Sequence, residues 1–222
     1  MRYFNCYVPH DSIYVRFKKC HLACSFQRNE LALHLKALVM TYIETSIPGV
    51  YVIEPQVFGD ARGYFMETYR KSDFDRFIGN TVNFVQDNES CSSYGVLRGL
   101  HYQRGKWSQA KLVRVLMGRV LDVAVDIRQS SPTFGKHVVV ELSDENKRQL
   151  FIPRGFAHGF LVLSDKAVFT YKVDNQYMPS AEASIRFDDP EIGIEWPISP
   201  EEMLLSEKDK RAVNFKDAVL FD

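Results

Sequence analysis

Two histidines stand in short apolar segments punctuated by glycine. His101 lies in Gly95-Val96-Leu97-Arg98-Gly99-Leu100-His101-Tyr102-Gln103, and His158 in Ile152-Pro153-Arg154-Gly155-Phe156-Ala157-His158-Gly159-Phe160. Imidazole is the side chain whose ordinary titration falls near neutrality. A histidine at the mouth of a pocket can therefore take a proton as a general base, or ligate a metal. Which of these it does depends on what the surrounding elements bring beside it.

Those elements read as strands. From Val50 onward, short apolar or alternating runs recur between Gly, Pro, Asp, Asn and Ser. Leu121, Val123, Val125 and Ile127 alternate with Asp122, Ala124, Asp126 and Arg128, and further runs follow at Val138 to Leu142, Leu150 to Ile152, Phe160 to Leu163 and Val168 to Tyr171. One helix interrupts them, with Ser72 and Asp75 as a capping pair, Phe74, Phe77 and Ile78 as the apolar face, and Gly79 as the stop. Many short strands with few short helices predict an all-β sandwich or jelly roll. Strands that alternate apolar residues with Asp, Arg or Lys inside a closed barrel can place polar groups in its interior, so a pocket lined by charge is compatible with a covered core. The barrel mouth is the place to expect chemistry.

Composition narrows the classes of function. A chain of 222 residues with 45% hydrophobic and 13% aromatic side chains can bury a full core. Lysine plus arginine and aspartate plus glutamate balance at 28 each, so no global basic field draws in nucleic acid. No apolar run approaches the roughly 20 residues of a membrane-spanning helix, so the expectation is a cytoplasmic protein with no membrane partner. Cys6, Cys20 and Cys24 precede Met40 and only Cys91 follows it, which is not a disulfide framework. The first 39 residues carry six basic and two acidic side chains, leaving 22 and 26 for the rest. Met40 reads as a possible start, so the expectation is that residues 1–39 are an extension, disordered or foreign to the native protein, and that residues 40–222 are the functional domain. Cys20, His21 and Cys24 form only a weak zinc pattern.

The His101 segment resembles the opening motif of the cupin barrels, where a Gly-led strand carries His-x-His, and the His158 segment resembles their later Pro-x-Gly-x-x-His motif. Gln103 occupies the second ligand position here, and an amide is a poor substitute for imidazole at a transition metal. The implied barrel is a double-stranded β-helix, or jelly roll, with no metal and no cofactor. Taken together, further segments resemble one family closely, the dTDP-4-dehydrorhamnose 3,5-epimerases. They are Val57 to Phe65, Phe84 to Asn88, Val96 to Gln103, Lys111 to Arg114, Asp126 to Arg128 with Ser131 to Gly135, Ile152 to Phe160, and Gly193 to Pro197. The likeness runs from about Ile47 to the C-terminus.

This resemblance implies a substrate and a division of labour. The hydrogens beside the ketone of a dTDP-4-keto-6-deoxy sugar are acidified, but inversion still needs a base, an enolate stabiliser and an acid on the opposite face. The family pattern places His101 as base, Asp209 as the carboxylate that orients it, Lys111 near the C4 oxygen and Tyr171 as proton donor. It assigns nucleotide and sugar contacts to Arg62, Glu67, Gln86, Asn88, Arg98, Lys111, His158, Glu182 and Lys208, and base stacking to Tyr177. It also implies a homodimer that exchanges strands between subunits. The alternatives are a C3 or C5 mono-epimerase, a ketoisomerase on a dTDP-4-keto sugar, or a non-catalytic nucleotide-sugar binding barrel.

Overall fold

The computed structural model describes residues 40–221. The expected extension and its cysteines therefore lie outside the described residues. Among the described residues, two large antiparallel sheets form the jelly roll. One contains β1 (Met40–Glu44), β2 (Tyr51–Pro55), β10 (Gln149–Ile152), β7 (Lys111–Met117), β12 (Lys166–Val173) and β5 (Gln86–Ser93), in that spatial order. The other runs β13 (Glu182–Ser184), β6 (Leu97–Gln103), β11 (Phe156–Val162), β8 (Arg119–Asp126) and β9 (His137–Ser143). A separate hairpin of β3 (Val57–Asp60) and β4 (Gly63–Met66) pairs only with itself.

Alternation in the sequence explains the layering, with one inversion. On β8 the apolar set does not face the space between the sheets. Val123 and Val125, with Ile127 just past the strand's end, pack outward against Ile185, Ile192 and Phe215 of the C-terminal segment. Val120 and Ala124 belong to the inner core with Val113, Val115, Phe160 and Phe169, so Asp122 and Asp126, which share their face, are turned inward and are fully buried. The C-terminal segment acts as an outer strap: Leu204 exchanges backbone hydrogen bonds with Gly95 and Leu97, and Phe221 with Ile127 and Gln129.

The expected helix exists as α1 (Lys71–Ile78), but its start differs. Arg70 is the N-cap, without a side-chain cap, and Ser72 lies inside the first turn. Asp75 instead accepts from Lys71 and from the Val82 backbone N–H, tying the helix to the chain that follows it. Gly79 ends the helix in the left-handed region, as its type predicts. Phe74 is buried on the outer face of the six-stranded sheet, edge-on to Phe151 at 5.0 Å. β11 begins at Phe156, earlier than the apolar run from Phe160 suggests, because Ala157 and Gly159 hide its alternation.

Candidate active site

The two histidines are cross-strand partners. His101 on β6 lies directly opposite His158 on β11. The strands approach closely at Gly99 and Gly159: a Cβ on Gly99 would stand 2.5 Å from the Gly159 Cα, and Gly99 has φ +134°. Only glycine permits that approach. His101 Nε2 meets Asp209 Oδ1 at 2.5 Å. Asp209 belongs to α2 (Glu207–Lys210), a single turn capped by Ser206. The Ser206 hydroxyl accepts from the Asp209 backbone N–H and donates to Asp209 Oδ2 at 2.7 Å, so one residue fixes both the turn and the carboxylate. Burial alone would raise the Asp209 pKa, but hydrogen bonds from His101, Ser206 and the Gly99 backbone outweigh it and hold the carboxyl below its ordinary value. An ionised Asp209 accepting from Nε2–H leaves Nδ1 of His101 with its lone pair, ready to take a proton.

A second carboxylate–histidine pair lies deeper. His158 Nε2 is 2.9 Å from Oδ1 of the fully buried Asp122, and His158 Nδ1 is 3.4 Å from Lys111 Nζ. The His158 ring stacks over Phe169 with centroids 6.1 Å apart. Burial pushes the imidazole's pKa down, against the pull of Asp122, and the Lys111 charge pushes the same way as burial. Lys111 itself is brought down to about 8: burial is the main cause, Lys208 adds to it, and Asp122 and Glu182 oppose it. Burial raises the Tyr171 pKa, with Glu182 adding to the rise and Arg98 opposing it, so the phenol keeps its proton at neutral pH.

Glu182 ties these groups into one site, since its charge acts on Lys111 and Tyr171 and responds to His101. It pairs with Lys208 and accepts from the Tyr177 hydroxyl at 2.9 Å. Burial alone would raise the Glu182 pKa, but these bonds hold it below its ordinary value. The Tyr177 backbone N–H bonds to Gln86, whose amide donates to Asn88. Gln86 also lines a cleft of about 360 Å³ with Tyr69, Phe84 and Lys172, which contains none of the expected catalytic residues. Arg98 donates to Ser92. Gln103 is committed to loop backbone, donating to Trp107 and Gln176 and accepting from Met178.

Two expected contacts are not brought to this cluster. Among the described residues Arg62, at the tip of the β3–β4 hairpin, bonds only to Asp60 in its own turn, and Glu67 bonds to Arg70. Two further residues, Ser206 and Asp122, support these pairs without standing in a recognised motif. The Ser-x-x-Asp spacing at Ser206 was a readable capping signal. Asp122, flanked by Leu121 and Val123 in mid-strand, was a buried charge in need of a partner.

The chain is similar to known proteins over most of its length. The profile of the dTDP-4-dehydrorhamnose 3,5-epimerase family matches residues 44–217. The dTDP-4-dehydrorhamnose 3,5-epimerase of Shigella flexneri is 56% identical over 182 residues, which cover 82% of this chain and 99% of that protein. The crystal structure of the enzyme of that name from Elizabethkingia anophelis superposes with a TM-score of 0.78 at 55% identity, covering 81% of this chain and 98% of that one. The dTDP-6-deoxy-D-glucose-3,5-epimerase of Legionella pneumophila, solved in complex with dTDP-4-keto-L-rhamnose, gives a TM-score of 0.78 at 50% identity, with 81% and 95% covered. Among the described residues, no helix is long and apolar enough to cross a membrane.

Proposed function

The chain belongs to the dTDP-4-dehydrorhamnose 3,5-epimerase family, and from that premise we propose that the His101–Asp209 pair is the base of its reaction and Tyr171 the acid. The reaction is epimerisation of dTDP-4-dehydro-6-deoxy-D-glucose at C3 and C5, giving dTDP-4-dehydro-L-rhamnose in dTDP-L-rhamnose biosynthesis. His101 Nδ1 takes the proton from the carbon beside the ketone, and Asp209 stabilises the imidazolium that forms. The electron pair moves into the C4 oxygen, where the Lys111 ammonium balances the enolate charge. As the ketone re-forms, Tyr171 returns a proton to the opposite face, inverting the centre; His101 then gives its proton to solvent, the Tyr171 phenolate takes one from solvent, and the cycle repeats at the second carbon. Arg98, His158, Glu182, Lys208, Gln86, Asn88 and Tyr177 hold the sugar, diphosphate and thymine.

The observation that carries this reading is the His101–Asp209 contact, since it fixes which imidazole nitrogen is free. The test is incubation with dTDP-4-keto-6-deoxyglucose in D2O without a reductase, following the C3 and C5 protons by NMR. Both signals should disappear with the native enzyme and persist with His101→Ala. Exchange at one carbon would indicate a mono-epimerase or isomerase, and dTDP binding without exchange a binding barrel.

The working form is a cytoplasmic homodimer, with residues 40–222 as the catalytic domain. Support for the dimer comes from the β3–β4 hairpin, where Phe58, Tyr64 and Phe65 are 53%, 57% and 70% exposed. An isolated hairpin is marginal in water, and clustered exposed aromatics mark an interface. A second copy covering that hairpin would receive Arg62 into its own site.

A further inference from the structure

Asp122 has no part in proton transfer or in holding the nucleotide, yet its burial is costly. It has no solvent exposure, and among the described residues only one of its oxygens is bonded: Oδ1 meets His158 Nε2, whereas Oδ2 is buried without a partner there. A carboxylate buried with half its hydrogen-bonding capacity unused needs compensation from nearby charge. That charge lies one imidazole away. Asp122, His158 and Lys111 form a line in which Nε2 faces the carboxylate at 2.9 Å and Nδ1 faces the ammonium at 3.4 Å.

The line has a definite polarity. An ionised Asp122 can only accept, so Nε2 must carry the hydrogen and Nδ1 must present its lone pair. That lone pair is the acceptor an ammonium requires. A protonated His158 would instead aim N–H at Lys111, which the ammonium charge opposes. We propose that Asp122 is a positioning residue for Lys111: through the neutral His158 imidazole it orients the ammonium and keeps it charged where the enolate oxygen develops. This rests on the reading of Lys111 as the enolate stabiliser.

The neighbourhood of Lys111 makes the contribution measurable. Asp122 from β8 and Glu182 from β13 favour its charge, Lys208 from α2 opposes it, and His158 from β11 is its hydrogen-bond acceptor. His158 in turn faces Asp122, Lys111 and, across β6, His101. Glu182 is already drawn to Lys208, whereas Asp122 has no cation of its own.

Two measurements test the proposal. Asp122→Asn preserves shape and removes the charge. Its kcat should fall about tenfold or more at pH 8, with the basic limb of kcat moving about one pH unit toward neutrality, while KM and dTDP affinity stay near native. A purely structural Asp122 would lower the melting temperature and leave the basic limb in place, and that result would overturn the proposal. Nitrogen-15 NMR of native, histidine-labelled enzyme needs no foldable Asp122 variant. The resonances lost in His158→Gln should report a neutral ring protonated at Nε2, and an Nδ1–H tautomer or an imidazolium at pH 7 would refute it. Full exchange by Lys111→Met would instead remove the lysine from the mechanism, whatever the tautomer of His158.

Discussion

The approach of β6 to β11 sets the relation between His101 and His158, and Gly99→Ala tests it. Gly99 has φ +134°, and an added methyl would stand 2.5 Å from the Gly159 Cα and 2.9 Å from the His158 carbonyl oxygen. Both obstacles are backbone, so no side chain can swing aside. An L-residue in that region of φ costs roughly 1–3 kcal/mol, and forcing an extra carbon into a packed site about 1–3 kcal/mol more. Carbon atoms pack at about 3.5–4.0 Å, so β6 and β11 must part by about 1 Å. The expected loss of about 2–6 kcal/mol corresponds to a melting point lower by roughly 5–20 °C for a chain of this size. A displacement of about 1 Å at His101 should also cost around 100-fold in turnover. Gly79→Ala is the control: it too has positive φ, at +78°, but open space around it. It should cost about 1 kcal/mol and leave turnover unchanged. Differential scanning fluorimetry and C5 exchange in D2O would read both variants. A Gly99→Ala enzyme melting within about 2 °C of native with full exchange would refute the reasoning.

Other outcomes are expected at separate points of the structure. Tyr171→Phe should still wash C3 and C5 protons into solvent while epimerised product falls by about 100-fold or more; equal loss of exchange and product would deny Tyr171 its role as donor. Phe65→Asp should shift the molecular mass seen by light scattering from dimer to monomer and weaken dTDP binding by isothermal titration, whereas an unchanged dimer would place the interface elsewhere. Asp209 has its pKa lowered from 3.8, so its stabilisation is present above that value and lost as pH falls through the lower folded value. Asp209→Asn should therefore flatten the acid limb of the melting temperature below about pH 4 and abolish turnover at every pH. Deleting residues 1–39 should leave kcat and KM unchanged, and a tenfold fall in either would make the extension part of the enzyme.

Strands whose alternation was strong, such as β8, could be recognised from the sequence, but the direction of their faces could not. The apolar face of β8 turns outward because Ile185, Ile192 and Phe215 arrive from far along the chain to cover it, and no local pattern announces that cover. The same gap hid Asp122: alternation allows a polar set inside the barrel, but nothing local singles out this carboxylate as fully buried. Capping rules applied at Ser72 failed because the Lys71–Asp75 and Asp75–Val82 bonds hold that helix start instead. The same spacing at Ser206 and Asp209 does describe a cap, and it carries the carboxylate that meets His101. Arg62 and Glu67 come with the hairpin and its sequel, and a single chain leaves them away from the cluster.

The outer strap has a bearing on how the protein is made. Every strand among the described residues precedes Asp209 in the chain, so a nascent polypeptide can assemble its sheets before the carboxylate that orients His101 has been synthesised. Such an intermediate would hold an imidazole with no fixed tautomer, and its β8 surface would remain sticky until the last residues arrived. Seating the strap covers that surface and delivers Asp209 in the same movement. Chains cut short by incomplete translation or by proteolysis of this segment should thus be both inactive and prone to aggregate, which exposes faulty copies to removal and keeps them from competing for substrate.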